Sequence, residues 1–113
     1  MKPFNKEEYN KLCAEFLGYV NTTPNDKDFN IHEHPLTKKM IETNYCNYFT
    51  DDWNWIMEVV EKIEEIYYLK PVHILGNQCN ILTNKTFKVC RDSKKEAVVQ
   101  AIWEFLNWYK ENK

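Results

Sequence analysis

The most constraining feature of this sequence is the run 93–109. Ser93 with Glu96 three residues on is a capping box, so a helix starts there. Val98, Ala101, Ile102, Phe105 and Tyr109 then repeat at helical spacing, and Val99, Trp103 and Leu106 widen the apolar stripe. A stripe that broad needs cover on two sides, from a sheet and from another helix or another subunit. It looks too broad for one small core, so a homo-oligomer is expected.

Two more helices can be read in the same way. Asn5 and Glu8 form the first capping box, with Phe4 and Tyr9 placed as a hydrophobic staple. Tyr9, Leu12, Cys13, Phe16 and Val20 follow helical spacing, and Gly18 is placed to stop the helix, which leaves Val20 just beyond it. In the middle of the chain Thr50 is the expected N-cap, with Asp51 and Asp52 in the first turn, where they favour the macrodipole. Trp53, Ile56, Met57, Val60 and Ile63 make the buried stripe of that helix, and Glu58, Glu61, Lys62 and Glu65 its wet face. Pro71 forbids continuation.

Between the second and third helices lie three strand-like runs, 72–75, 79–83 and 87–90, separated by Gly76-Asn77 and Asn84-Lys85-Thr86. A three-residue loop at 84–86 pairs Ile81 with Val89 and Leu82 with Lys88. It keeps Cys79, Ile81, Thr83, Phe87 and Val89 on one face. A two-residue loop would mix the faces, so the longer loop is expected. The fold class is thus α+β, a small antiparallel sheet layered with three amphipathic helices in a single domain spanning 1–113. Residues 19–49 resist assignment. Phe29, Ile31 and His32-Glu33-His34 could make an edge strand ended by Pro35, and 36–48 could hold a short helix or another strand.

Composition narrows the function classes. Aromatic residues make up 15% of 113 residues, more large apolar surface than a disordered chain carries. The formal net charge is −2, without the basic excess expected of a duplex nucleic-acid binder. No stretch reads as a signal peptide or membrane span, so a cytoplasmic location is expected. Cys13, Cys46, Cys79 and Cys90 show no metal-binding spacing and read as reduced thiols.

The run 49–64, Phe-Thr-Asp-Asp-Trp-Asn-Trp-Ile-Met-Glu-Val-Val-Glu-Lys-Ile-Glu, resembles the signature of the phage ABA-sandwich domain family. So do the run 93–109, Ser-Lys-Lys-Glu-Ala-Val-Val-Gln-Ala-Ile-Trp-Glu-Phe-Leu-Asn-Trp-Tyr, and the run 14–19, Ala-Glu-Phe-Leu-Gly-Tyr. The resemblance covers about two thirds of the chain and leaves 20–48 as a variable insert. It implies an α/β/α layered fold and a phage or prophage origin, hence the cytoplasm of a host. It implies no activity, because the shared residues are caps and core positions.

Several residues carry candidate chemistry. Arg91, the only arginine, stands beside Ser93, Lys94 and Lys95 at a helix N-terminus, where backbone N–H groups and a bidentate guanidinium favour phosphate. The competing reading is an ordinary cap, with Arg91 paired to a nearby carboxylate. Trp53 and Trp55 cannot share one helix face, so one ring is expected at the edge of the core, where it could stack on a ligand. Tyr19 is a further ring candidate. His32 and His34 would share a strand face and could offer two metal ligands, but no third is evident, and a solvated edge explains them as well. Asp51, Asp52 and the helix glutamates read as capping and a solvated face, not an acid/base set.

No cofactor or metal centre is called for. The function expected is a non-enzymatic phage accessory protein that sequesters a nucleotide-like host signal. The ligand set is Arg91, Ser93, Lys94, Lys95, Trp53, Trp55, Tyr19, His32 and His34. The alternatives are a protein-interaction module using 20–48 and the tryptophans and, more remotely, a small metal-dependent hydrolase.

Overall fold

The computed structural model describes residues 2–68 and 70–112. The elements in chain order are α1 (Lys6–Phe16), β1 (Val20–Asn21), β2 (Ile31–Glu33), β3 (Met40–Glu42), α2 (Tyr48–Asp51), α3 (Trp53–Ile66), β4 (Val72–Leu75), β5 (Gln78–Leu82), β6 (Thr86–Cys90) and α4 (Lys94–Asn112). The fold is α+β, with two three-stranded antiparallel sheets, β1-β2-β3 and β4-β5-β6.

The broad stripe of α4 is covered within one chain. One side packs on the β4–β6 sheet and the other on α1, α2 and α3. Phe105 sits where the layers meet, its ring centroid 5.9 Å from that of Phe87 on β6 and 5.8 Å from that of Phe16 on α1. The breadth of the stripe therefore no longer argues for a second subunit. Trp103 is fully buried against Phe4 and Tyr9, and its indole Nε1 donates to the Lys2 carbonyl at 3.1 Å.

Both ends of α1 form from local sequence. Asn5 Oδ1 accepts from Glu8 N at 3.0 Å, and Phe4 packs on Tyr9 at 5.3 Å between centroids. Gly18, at φ +100°, closes a Schellman motif: its N–H reaches the Glu15 carbonyl, and the Tyr19 N–H reaches that of Ala14. The Glu8 carboxylate pairs with Lys2 at 2.6 Å, with Lys110 3.8 Å away.

The middle helix departs from expectation. Thr50 is not its cap. A four-residue turn, α2, comes first, Asp52 is extended (φ −101°, ψ 112°), and Asp52 Oδ1 caps α3 by accepting from Asn54 N at 2.9 Å. The break is tolerated because distant side chains take the carbonyls it strands. Tyr9 Oη donates to the Phe49 carbonyl at 2.8 Å, and Lys95 Nζ donates to the Asp51 carbonyl at 2.8 Å. Along α3 the fully enclosed stripe is Ile56, Val59, Val60 and Ile63, with Trp53 and Met57 half-buried beside it.

The β5–β6 register is also shifted. The three-residue loop is 83–85, pairing Ile81 with Phe87 and Leu82 with Thr86. The Thr83 hydroxyl accounts for this: it donates to the Lys85 carbonyl at 3.0 Å and accepts from Lys85 N at 3.3 Å. A two-residue slip preserves parity, so Cys79, Ile81, Phe87 and Val89 still face the core.

The region that resisted assignment forms the first sheet. His32 lies on β2, its central strand and not an edge, opposite Ile41 of β3 and Asn21 of β1. Side chains close its loops. Asn30 Nδ2 donates to the Thr23 carbonyl at 2.7 Å and the Asp26 carbonyl at 2.9 Å, and Asp26 Oδ1 accepts from Asp28 N and Phe29 N. Lys38, at φ 61°, turns the chain between β2 and β3.

Candidate functional site

The end of β6 and the first turn of α4 open onto a cleft of about 460 Å³, bounded by Arg91, Ser93, Lys95, Phe4, Thr50 and Asp51, with Glu96, Val99 and Gln100 completing it. Each side chain has a local reason for its place. Arg91 N donates to the Asn77 carbonyl at 3.1 Å, anchoring the chain as it leaves the sheet. The Arg91 guanidinium lends one N–H to the Cys90 carbonyl at 2.9 Å and keeps the others free of protein partners among the described residues. Ser93 Oγ caps α4 by accepting from Glu96 N at 3.2 Å. Lys95 reaches across to the Asp51 carbonyl. Lys94 is exposed and does not line the cleft.

Two cations thus face two carboxylates, Asp51 and Glu96. That balance suits a ligand carrying both anionic and hydrogen-donating groups better than a bare polyanion.

The tryptophans are already engaged. The half-buried Trp55 ring stacks on Tyr48 at 4.7 Å and 19°, meets Phe49 edge-on at 5.5 Å, and has Lys39 Nζ 4.4 Å from its centroid. Trp53, also half-buried, has Lys95 Nζ 5.7 Å from its ring and lines a different, larger cleft. Neither lines the cleft at Arg91. Its aromatic wall is Phe4, which is 41% exposed.

Tyr19, His32 and His34 lie elsewhere. Tyr19 and His34 pack edge to face at 5.2 Å and line a groove with Glu58, Glu61 and Glu65. His34 Nδ1 accepts from Leu36 N at 3.2 Å. His32 has no exposed surface. Its Nε2 lies 3.3 Å from Glu15 Oε2 and its Nδ1 3.0 Å from Thr43 Oγ1. Both ring nitrogens are thus occupied, which removes His32 from the ligand set and the pair from metal binding.

The order hydroxyl, imidazole, carboxylate has the form of an activated nucleophile, but Thr43 is as enclosed as His32 and offers substrate no approach. The trio instead ties α1 to the first sheet. Nε2 donates to the Glu15 carboxylate, and the 3.0 Å contact between Nδ1 and the Thr43 hydroxyl completes the link. The His32 hydrogen bond holds the Glu15 carboxyl below its usual range.

Burial pushes the Cys79 thiol up to about 11, and raises those of Cys13 and Cys46 as well, so none of these three is an activated thiolate. Among the described residues no three His, Cys, Asp or Glu side chains cluster so as to hold a metal ion, and no helix is long and apolar enough to cross a membrane.

Sequence reasoning missed Phe4, Thr50, Asp51, Glu96, Val99 and Gln100 as walls of the cleft, and Glu15 and Thr43 as partners of His32. Glu96, Val99 and Gln100 lie near Arg91 in the chain; nothing in local pattern marks the others. No protein-family model, curated protein or solved structure matches this chain.

Proposed function

We propose that this protein binds, without chemical turnover, a phosphate-bearing small molecule of nucleotide size in the cleft at the start of α4. By holding it, the protein would keep the molecule from a host receptor. The observation that carries the reading is the convergence of Arg91, Ser93 and Lys95 with an exposed ring, Phe4, around one cleft.

Arg91 would grip phosphate through its free N–H groups, and the first turn of α4 would add backbone N–H groups and the positive end of its dipole. Phe4 offers a face for a base, and Asp51 and Glu96 can accept from sugar hydroxyls or a base amino group. Among the described residues the polar lining is Arg91, Ser93, Lys95, Thr50, Asp51, Glu96 and Gln100, groups suited to holding a ligand by hydrogen bonds and charge. The phage setting rests on the resemblance of runs 14–19, 49–64 and 93–109 to the ABA-sandwich domain.

The test is native mass spectrometry of protein expressed with and without a defence system that makes nucleotide signals. A stoichiometric nucleotide-sized added mass, lost on Arg91→Ala, supports the reading. A ligand-free mass in both cells rejects it. The same spectrum reads the number of subunits.

A second reading has its own observation. Val20, Phe29, Leu36, Met40, Tyr45 and Tyr48 account for more than half of the exposed large apolar side chains described, and all lie in 20–48. Such concentration fits a surface that blocks a host protein. Capture of one host protein in stoichiometric amount, abolished by Leu36→Asp with Met40→Asp, would favour it; unchanged capture would remove it.

A further inference from the structure

A second cleft, about 790 Å³, is larger than the one at Arg91 and lies beside it. Its walls include Glu42, Tyr45, Tyr48, Asp51, Asp52 and Trp53, and among the described residues no lysine, arginine or histidine lines it. Three aromatic rings and three carboxylates therefore share one depression.

The groups are held ready. Both carboxylate oxygens of Glu42 accept backbone N–H bonds, from Asn44 at 2.6 Å and Tyr45 at 2.9 Å, which fixes the β3 exit and stations Tyr45 in the wall. Tyr45 is 70% exposed with no ring partner among the described residues, an arrangement that core packing does not explain. Tyr48 is backed by its stack on Trp55, which leaves its other face outward. Asp52 is occupied as the α3 cap, while the Asp51 carboxylate has no hydrogen bond or ion pair among the described residues.

The chain's own ammonium groups stop at the rim. Lys6 Nζ donates to Asn47 Oδ1, and Lys95 Nζ takes the Asp51 carbonyl above the Trp53 ring. Next door, Lys39 sits over Trp55, so ring faces in this part of the fold already receive ammonium groups.

We infer that this cleft binds an organic ammonium group, with the Tyr45 and Tyr48 faces receiving the cation and Asp51 and Glu42 supplying the field. An ammonium over an aromatic face gains from the ring quadrupole, and a carboxylate beside it adds Coulomb attraction. A neutral group of the same shape receives neither. The inference is independent of the phosphate cleft, although Asp51 lies in the wall between the two.

The test is an amide NMR titration of the full chain with choline and with its uncharged isostere 3,3-dimethyl-1-butanol. Choline should shift amides within 42–53 saturably, with a dissociation constant on the order of 1–10 mM. The neutral isostere should bind about two- to fivefold more weakly, the difference a solvent-exposed cation–π contact is worth. Glu42→Gln and Tyr45→Ala, neither in the phosphate cleft, should each weaken choline by about threefold or more, with the remaining spectrum unchanged. Lys6→Gln, which removes a competing ammonium, should tighten it.

An acetylated Gly-Lys-Gly peptide and spermidine separate the sources: tighter peptide binding assigns the site to a lysine borne on a protein, and tighter spermidine binding to a free amine. The inference is overturned by equal shifts with the neutral isostere, by shifts confined to the Glu58–Glu61–Glu65 groove, or by no shift with any ammonium probe.

Discussion

The break between α2 and α3 can be tested by removing a single oxygen. Tyr9→Phe keeps the ring, which is fully buried between Phe4 and Trp103, and deletes only the hydroxyl that donates to the Phe49 carbonyl at 2.8 Å. Because Asp52 leaves the helical path, no following turn takes over that carbonyl, and Phe49 is itself fully buried. A buried acceptor left unpaired costs about 1–3 kcal/mol. With unfolding entropy of about 2.1 cal/mol/K per residue, a chain of this length loses roughly 4 °C in Tm per kcal/mol, so Tm should fall by roughly 4–12 °C.

Lys95→Met removes the companion bond to the Asp51 carbonyl, but that group is exposed and water replaces the ammonium. It should cost under about 0.5 kcal/mol. Urea unfolding at constant slope together with calorimetry would measure both variants. If Tyr9→Phe lies within about 0.3 kcal/mol of the parent, or Lys95→Met costs more than Tyr9→Phe, the account of the break is refuted.

Three further outcomes follow from the geometry. Phe105→Ala, which removes the ring shared by the sheet and α1, should destabilise by about 3–5 kcal/mol in chemical denaturation. Gly18→Ala should cost about 1–2 kcal/mol, because φ +100° strains any L side chain and the new Cβ would stand 3.4 Å from His34 Nε2. Glu15 has its carboxyl lowered by His32, so between its folded and unfolded pKa values the unfolded chain binds the extra proton. The stabilisation is complete above the unfolded value and is lost as pH falls through the folded one. The carboxylate is 55% exposed, so a pH-dependent difference of under about 1 kcal/mol from Glu15→Gln is expected in unfolding curves below pH 5.

What could be read from the sequence was what the chain decides locally. The caps at Asn5 and Ser93, the stop at Gly18 and the apolar stripes depend on residues within a turn or two of each other, and all are in place. The register of β5 and β6 was off by two because a single hydroxyl, Thr83, competes for the turn. The core faces survived because parity is set by alternation. The cap expected at Thr50 falls instead on Asp52, which the sequence reading places in the first turn. Contacts forty or more residues away in sequence, from Tyr9 and Lys95, decide between Thr50 and Asp52.

The first sheet was illegible because strands of two or three residues are too short to show alternation, and side chain to backbone bonds hold its loops. The site divides along the same line. Arg91, Ser93 and Lys95 are neighbours in sequence and meet in one cleft. The ring beside them is Phe4, and no pattern near Arg91 points to a residue at the opposite end of the chain.

The position of α4 bears on how the protein is made. This helix of 19 residues touches both sheet and helices, yet it follows every element it organises. During synthesis the inner face of β4–β6, with Ile81, Phe87 and Val89, therefore has nothing to close on until α4 emerges. At about 5–20 residues per second, α4 alone takes roughly 1–4 s to translate, long on the scale of hairpin formation and collapse. Until α4 docks, the chain carries a bare apolar sheet face with open strand edges, a surface on which it can pair with another copy before it folds.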